Sequence, residues 1–297
     1  MTPAPTRRTA SGQAYHDLRN LARRDGRDSA EYFTLYALEG FLARLAASEN
    51  SADFVLKGGV LMAAFAARRP TRDIDLAASG FPNDIGGVVH RLRSIAMLGV
   101  GDGLLFDAES IAGAAIRDEA DYAGVRVTLT AQLASARITL HVDVNFGDPI
   151  WPEPTNAALP LLLGGTLQVR GYPDHMVLAE KIVTAVDRGS ANTRWRDFVD
   201  IAAIIDSRSL RQADLVSAVD VVADHRKVRM SPLADVLAGM ADIAQPKWAA
   251  WRRKQRLEAA TPVRFQDLLD RCLAFADPVF DGRAGGLTWS PELRAWQ

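Results

Sequence analysis

Between Arg137 and Phe146 the side chains alternate without a break. Ile138, Leu140, Val142, Val144 and Phe146 fall on one side, and Arg137, Thr139, His141, Asp143 and Asn145 on the other. A period of two belongs to a β-strand with one buried face. Gly124 to Leu133 reads as its hairpin partner across Ala134-Ser135-Ala136. Any fold for this chain must therefore contain a sheet with an apolar side and a polar side, and Asp143 belongs to the polar side.

Other segments carry a helical period. From Asp28 to Ser48, residues Tyr32, Leu35, Leu38, Phe41, Leu42 and Leu45 recur at three and four, the mark of an amphipathic helix. A short strand from Asp53 to Lys57 leads through Gly58-Gly59 into a helix from Val60 to about Ala67, which Pro70 ends. Arg72 to Ala78 forms the next strand, and Asn83 or Asp84 caps a helix reaching about Met97. Residues 1–11 read as frayed, and 99–120 receive no assignment. The Pro-rich stretch Asp148 to Pro160 marks a boundary, followed by a strand at Thr166 to Arg170. Beyond Gly171 the character is helical. Asp174 caps a helix that stops near Gly189, another spans Trp195 to Ser207, and at least two more precede a tail after Pro278. The expected architecture is α+β, with an N-terminal helix and mixed-sheet core over 1–170 and a helical domain over 171–297.

A chain of 297 residues with 48% hydrophobic and 24% charged side chains has the composition of an ordinary soluble protein. No apolar run approaches the ~20 residues that span a bilayer. The start has no apolar stretch behind its charges, so it is not a secretory signal. The lone Cys272 excludes an internal disulfide framework and a cysteine-based zinc site, and a cytoplasmic location is expected. A net charge of −1 gives no global attraction to nucleic acid, so such a partner would need a local patch. One candidate lies between His225 and Arg256, where eight Lys or Arg face two Asp, with Trp248 and Trp251 in the densest part. The plainer reading of the same segment is a solvated helix face over two packed tryptophans.

Chemistry concentrates around Lys57-Gly58-Gly59-Val60 and Arg72-Asp73-Ile74-Asp75. On a strand, Asp73 and Asp75 point to one face and repel unless a cation lies between them. Mg²⁺ bound by carboxylates and substrate phosphates suits that place. A surface pair salt-bridged to Arg72 or Arg68 is the structural alternative. Asp143 likewise suits either a cleft or a solvent-facing position on a half-exposed strand. Lys181 shares a helix face with Val177, Leu178, Thr184 and Ala185, so it either snorkels to solvent or meets a buried anion. Asp197 and Asp200 share a face of the next helix, where Asp197 suits dipole compensation and Asp200 a functional role.

Taken together, these segments resemble the polymerase-β-type nucleotidyltransferases, and most closely the AbiEii toxin family, which includes the mycobacterial MenT-type tRNA nucleotidyltransferase toxins. The resemblance is carried by Lys57-Gly-Gly-Val-Leu61, Thr71-Arg-Asp-Ile-Asp-Leu76 and His141-Val-Asp-Val-Asn-Phe-Gly-Asp-Pro149. Leu178-Ala-Glu-Lys181 and Arg196-Asp197-Phe-Val-Asp200 extend it, so that it covers about residues 50–206. Gly59 stands where the family often has Ser, which removes one hydroxyl contact to phosphate.

The resemblance implies a Mg²⁺-dependent transfer of NMP from an NTP to the 3′ end of tRNA, which blocks aminoacylation, and an antitoxin encoded nearby. It implies that Asp73, Asp75 and Asp143 hold metal and, with Lys181 and Asp200, carry catalysis. Lys57, Gly58, Gly59, Arg72, Lys181 and Asp197 would bind the nucleotide. Thr71 is a candidate for regulatory phosphorylation, since a phosphate beside Asp73 would repel both metal and substrate. The rival functions are nucleotidylation of a small molecule or protein hydroxyl, a metal-dependent nuclease, and a non-catalytic module that binds RNA or a partner. No membrane association is expected.

Overall fold

Val142, Val144, Ile74 and Leu76 are all fully buried, and the strands that carry them lie side by side at the centre of a mixed sheet. The computed structural model describes residues 5–65, 71–117, 123–280, 283 and 285–297. The chain divides into two units, Met1–Ala64 with Arg68–Asp148 and Thr155–Gly171, and Phe65–Ala67 with Pro149–Pro154 and Tyr172–Gln297.

In the first unit, helix α1 spans Ala10–Arg24 and opens on Thr9, whose hydroxyl accepts the Gly12 N–H. Residues 9–11, expected to fray, are thus a cap and a first turn. Asp28 accepts the Ala30 N–H and starts α2, Ser29–Ala47, which buries the six apolar positions expected of it. Then come β1 (Phe54–Lys57), α3 (Gly58–Leu61) running into a 3₁₀ turn over Met62–Phe65, and β2 (Asp73–Ala78). The expected helix end at Ala67 and Pro70 lies outside the described residues, as does Arg68. Asp84 caps α4 (Ile85–Ala96), followed by β3 (Leu104–Arg117), β4 (Ala123–Leu133), β5 (Ala136–Phe146), β6 (Thr155–Pro160) and β7 (Thr166–Gly171).

Among the described residues these strands form one sheet in the order β3-β4-β5-β2-β1-β7-β6. The pairs β2–β5 and β1–β7 are parallel and the rest antiparallel, so the sheet is mixed as expected. Helix α2 packs on β5 and β7, and α4 on β3.

Two stretches depart from expectation. Residues 104–117 form a strand whose alternation is broken by a register shift between Asp107 and Ala112, where Ser110 accepts the Thr130 N–H through its hydroxyl. Half of the Pro-rich boundary is the edge strand β6. Pro160 ends it where a missing N–H costs the sheet nothing.

The second unit holds α5 (Asp174–Arg188), α6 (Trp195–Ile205), β8 (Leu210–Arg211), α7 (Gln212–Arg226), α8 (Leu233–Val236), α9 (Met240–Gln255), α10 (Phe265–Phe280), β9 (Thr288–Ser290) and β10 (Ala295–Trp296). Pro173, not Asp174, takes the cap position of α5, and Asp174 is its first helical residue. The expected tail is partly ordered: β9 pairs with β8 and β10. Trp195, Trp248, Trp251 and Phe265 form an aromatic cluster, and Cys272 is buried with its thiol donating to the Phe198 carbonyl.

Candidate active site

Strand β1 ends in Lys57, and the next residue, Gly58, turns the chain with φ +68°. That conformation disfavours any L side chain. A Cβ there would also stand 1.9 Å from Asp75 Oδ2. Glycine is needed twice over, because the Asp75 carboxylate occupies the space above its Cα. The Gly59 N–H hydrogen-bonds to the same carboxylate. In this structure the Gly-Gly turn therefore serves Asp75 directly.

Register then builds a row of charge across four adjacent strands. Lys57 on β1 stands opposite Asp75 on β2, Asp75 opposite Asp143 on β5, and Asp143 opposite Arg126 on β4. Facing residues on neighbouring strands share a side of the sheet. All four thus project away from the buried Leu56, Ile74, Val142 and Val127 sides of their strands. Arg126 grips Asp143 through two parallel bonds, Nε to Oδ1 at 2.7 Å and Nη2 to Oδ2 at 2.6 Å. At the other end, Lys57 Nζ reaches Asp148 Oδ2 at 2.5 Å. Burial and the charge of Asp143 push the Asp75 carboxyl above the usual carboxylate range, against the pull of Lys57 and the Gly59 N–H.

One step along the strands lies a second row. Asp73 stands opposite His141, whose Nδ1 lies 3.1 Å from the Thr128 hydroxyl on β4. The neighbouring Thr71 donates weakly to the Asp73 carbonyl at 3.3 Å, while Arg72 is exposed.

The second unit carries a cluster of its own. Lys181, on α5, meets Asp197 at 2.9 Å and Asp200 at 2.8 Å, and Asp197 also takes Arg194 at 2.7 Å. Lys181 does not snorkel: its anions are on α6. Burial alone would lower its pKa, but the charges of Asp200 and Asp197 outweigh that and raise it. Asp197 shows the mirror effect, with burial overridden by Lys181 and Arg194 so that its carboxyl stays below the usual range.

The carboxylates Asp73, Asp75 and Asp143 thus share one face of the sheet, as do Lys57 and Arg126. Among the described residues, no three His, Cys, Asp or Glu side chains stand in ligating geometry for a metal. Both oxygens of Asp143 are engaged by Arg126, and Asp75 lies over Gly58. The donor set still fits a hard divalent cation, because carboxylate oxygens are its preferred ligands. Burial first, and then the charge of Asp143, disfavour the ionised Asp75 carboxyl, and a cation beside it would favour that form.

Sequence reasoning overlooked Arg126 and the pairing of Lys57 with Asp148. The available signal for Arg126 was its polar position between the apolar Val125 and Val127 of an alternating strand.

The basic segment 225–256 resolves into parts. Trp248 is fully buried, donates its indole N–H to the Pro262 carbonyl at 3.0 Å, and stacks on Trp251 at 5.1 Å. Arg252 is buried too, bonded to the Thr261 hydroxyl and to the carbonyls of Thr261 and Glu258. Trp248 therefore offers no face to a base. Lys227, Arg229, Lys247, Arg253, Lys254 and Arg256 remain exposed.

No curated protein matches the chain. Its fold can be overlaid on JHP933 from Helicobacter pylori at 12% identity and a TM-score of 0.33, covering 75% of this chain and 94% of that one. An H. pylori "putative nucleotidyltransferase" overlays at 12% identity and a TM-score of 0.32, covering 81% and 97%. These overlays are too loose to identify a function. The sequence match is of another order: the family model for the nucleotidyl transferase AbiEii toxin, of type IV toxin–antitoxin systems, spans residues 40–281. With most of its length inside that match, and with the glycine turn and both acidic strands inside it, this chain belongs to the AbiEii nucleotidyltransferase toxin family.

Proposed function

We propose that the chain transfers an NMP from an NTP to the 3′-hydroxyl of tRNA and so blocks aminoacylation, with the sheet face around Asp75 and Asp143 as the reaction centre. The observation that carries this reading is their register: two acids from strands far apart in sequence stand side by side, next to a glycine turn. Asp73, Asp75 and Asp143 would hold Mg²⁺, which when bound offsets charge on the attacking and leaving oxygens of an in-line displacement. The 3′-oxygen attacks the α-phosphorus, the bond to the β-phosphate oxygen breaks, and pyrophosphate leaves.

Asp143 accepts the hydroxyl proton on a carboxylate oxygen once that oxygen is free of Arg126. Lys57, beside Asp75, and exposed Arg72 are cations suited to phosphate oxygens. Lys181, paired with Asp197 and Asp200, is a further candidate catalytic residue on the strength of the family motif it stands in. The exposed Lys247, Arg253, Lys254 and Arg256 favour an RNA acceptor, since cationic side chains bind its backbone. An antitoxin encoded nearby is the expected partner, and phosphate on Thr71, two residues before Asp73, would oppose nucleotide binding.

The test is incubation of the protein with each labelled NTP, Mg²⁺ and total tRNA. Label should enter RNA at the 3′ end with at least one NTP. Label appearing only in a small molecule or a protein, or nowhere, would overturn the tRNA assignment.

A further inference from the structure

The reaction centre just described contains an internal cation, Arg126, bonded to Asp143. Arg126 bonds both oxygens of Asp143 with near-ideal bidentate geometry, taking one lone pair of each and setting its positive charge against any cation that approaches the others. The two partners are unequally anchored. The side chain of Asp143 is 12% exposed and short, fixed to a strand with neighbours on both sides, whereas that of Arg126 is 47% exposed and long. If the pair separates, Arg126 is the member that moves, since it can turn to water without burying its charge.

The local charge count sets the condition for that movement. Lys57 and Arg126 contribute two positive charges against the four negative charges of Asp73, Asp75, Asp143 and Asp148, a formal −2. One divalent cation satisfies that count with Arg126 in place. A second would sit against the guanidinium unless something accepted the arginine and brought further negative charge. A nucleoside triphosphate does both. Its oxygens offer a planar guanidinium the same two-point bonding that Asp143 does.

We propose that Arg126 is a nucleotide-responsive gate: its charge opposes metal at Asp143 in the free protein, and it moves to the triphosphate when substrate arrives, so that the second cation binds only with nucleotide. This deepens the nucleotidyltransfer reading and rests on it.

The test is Mn²⁺ binding to the full chain, followed by electron paramagnetic resonance with and without a non-hydrolysable α,β-methylene NTP. Wild type should take one Mn²⁺ alone and two with the analogue. Arg126→Gln should bind Mn²⁺ without nucleotide about tenfold more tightly, or take a second ion, and should lose affinity for the analogue. Arg126→Lys, which keeps the charge but only one-point bonding, should fall between and guards against a Gln variant that does not fold.

A folded Arg126→Gln whose metal binding is unchanged or weaker, or a wild type that takes two ions without nucleotide, would overturn the gate while leaving the transferase reading intact. A wild type that binds neither Mn²⁺ nor analogue would overturn both.

Discussion

Asp75 and Asp143 face each other across the parallel β2–β5 pair, each with a basic residue on its outer side, Lys57 and Arg126. Parallel neighbours lie roughly 4.8 Å apart, so the acids are held together by backbone hydrogen bonds against their own repulsion. A site of this kind holds a charge arrangement that folding alone does not favour.

Replacing Asp75 by Asn should therefore stabilise the protein at neutral pH while removing transfer activity. The sign follows from its raised carboxyl. Between the ordinary carboxylate pKa and the raised folded value the native state binds more protons than the unfolded one, so stability declines as pH rises through that window. Asn retains an acceptor for the Gly59 N–H. A melt should show a gain of about 2–4 °C, the effect of ~1 kcal/mol in a domain of this size, with transfer reduced at least about a hundredfold. An unchanged or lower melting point would contradict this.

Metal affinity should share the same titration. Mn²⁺ binding to the wild type should weaken as pH falls through a value above the usual carboxylate range, because the proton on Asp75 competes with the ion. Isothermal titration at several pH values measures the midpoint. Loss confined to the ordinary carboxylate range would show that Asp75 is not a ligand.

Gly58→Ala combines two penalties. Left-handed backbone costs an L-residue about 1–2 kcal/mol, and the new methyl group displaces the Asp75 carboxylate. Denaturant melts should show destabilisation of at least that size, and metal binding should be lost with it. A folded Ala variant with normal metal affinity would separate the turn from the site.

Lys181→Met is expected to weaken folding as well as activity. It leaves Asp197 and Asp200 buried without their shared cation, a change that typically costs about 3–5 kcal/mol. The pair's stabilisation has a defined pH span. The lysine part is present below the ordinary lysine value and lost as pH rises through its raised one. The Asp197 part is present above the usual carboxylate range and lost as pH falls through its lowered value. Combining Lys181→Met with Asp197→Asn and Asp200→Asn should recover much of the stability without restoring transfer, which a melt and a labelling assay would resolve.

Segments whose periodicity is locally uninterrupted were legible in advance. Helix α2 and strand β5 follow their apolar spacing, and the side of the sheet bearing Asp73, Asp75 and Asp143 follows from a period of two. Strand β3 was hidden because its alternation changes phase at the Asp107–Ala112 shift, so no single period fits it. Arg126 was hidden for a different reason. Its partner is 17 residues away across a hairpin, and only the register identifies which acid it meets. Lys57 and Asp148 are 91 residues apart and carry no joint local signal. The plainer reading of the basic segment, tryptophans packed beneath a charged face, holds for Trp248, which lies in an aromatic core.

The sole thiol of the chain has a practical consequence. Cys272 is buried on α10 with its thiol against the Phe198 carbonyl of α6, and burial pushes its pKa to about 12, so it scarcely forms thiolate at neutral pH. A disulfide reagent such as dithionitrobenzoate will consume it only in molecules whose α6–α10 packing has opened. Every preparation thus contains a built-in reporter of how often that part of the toxin breathes, readable without a label.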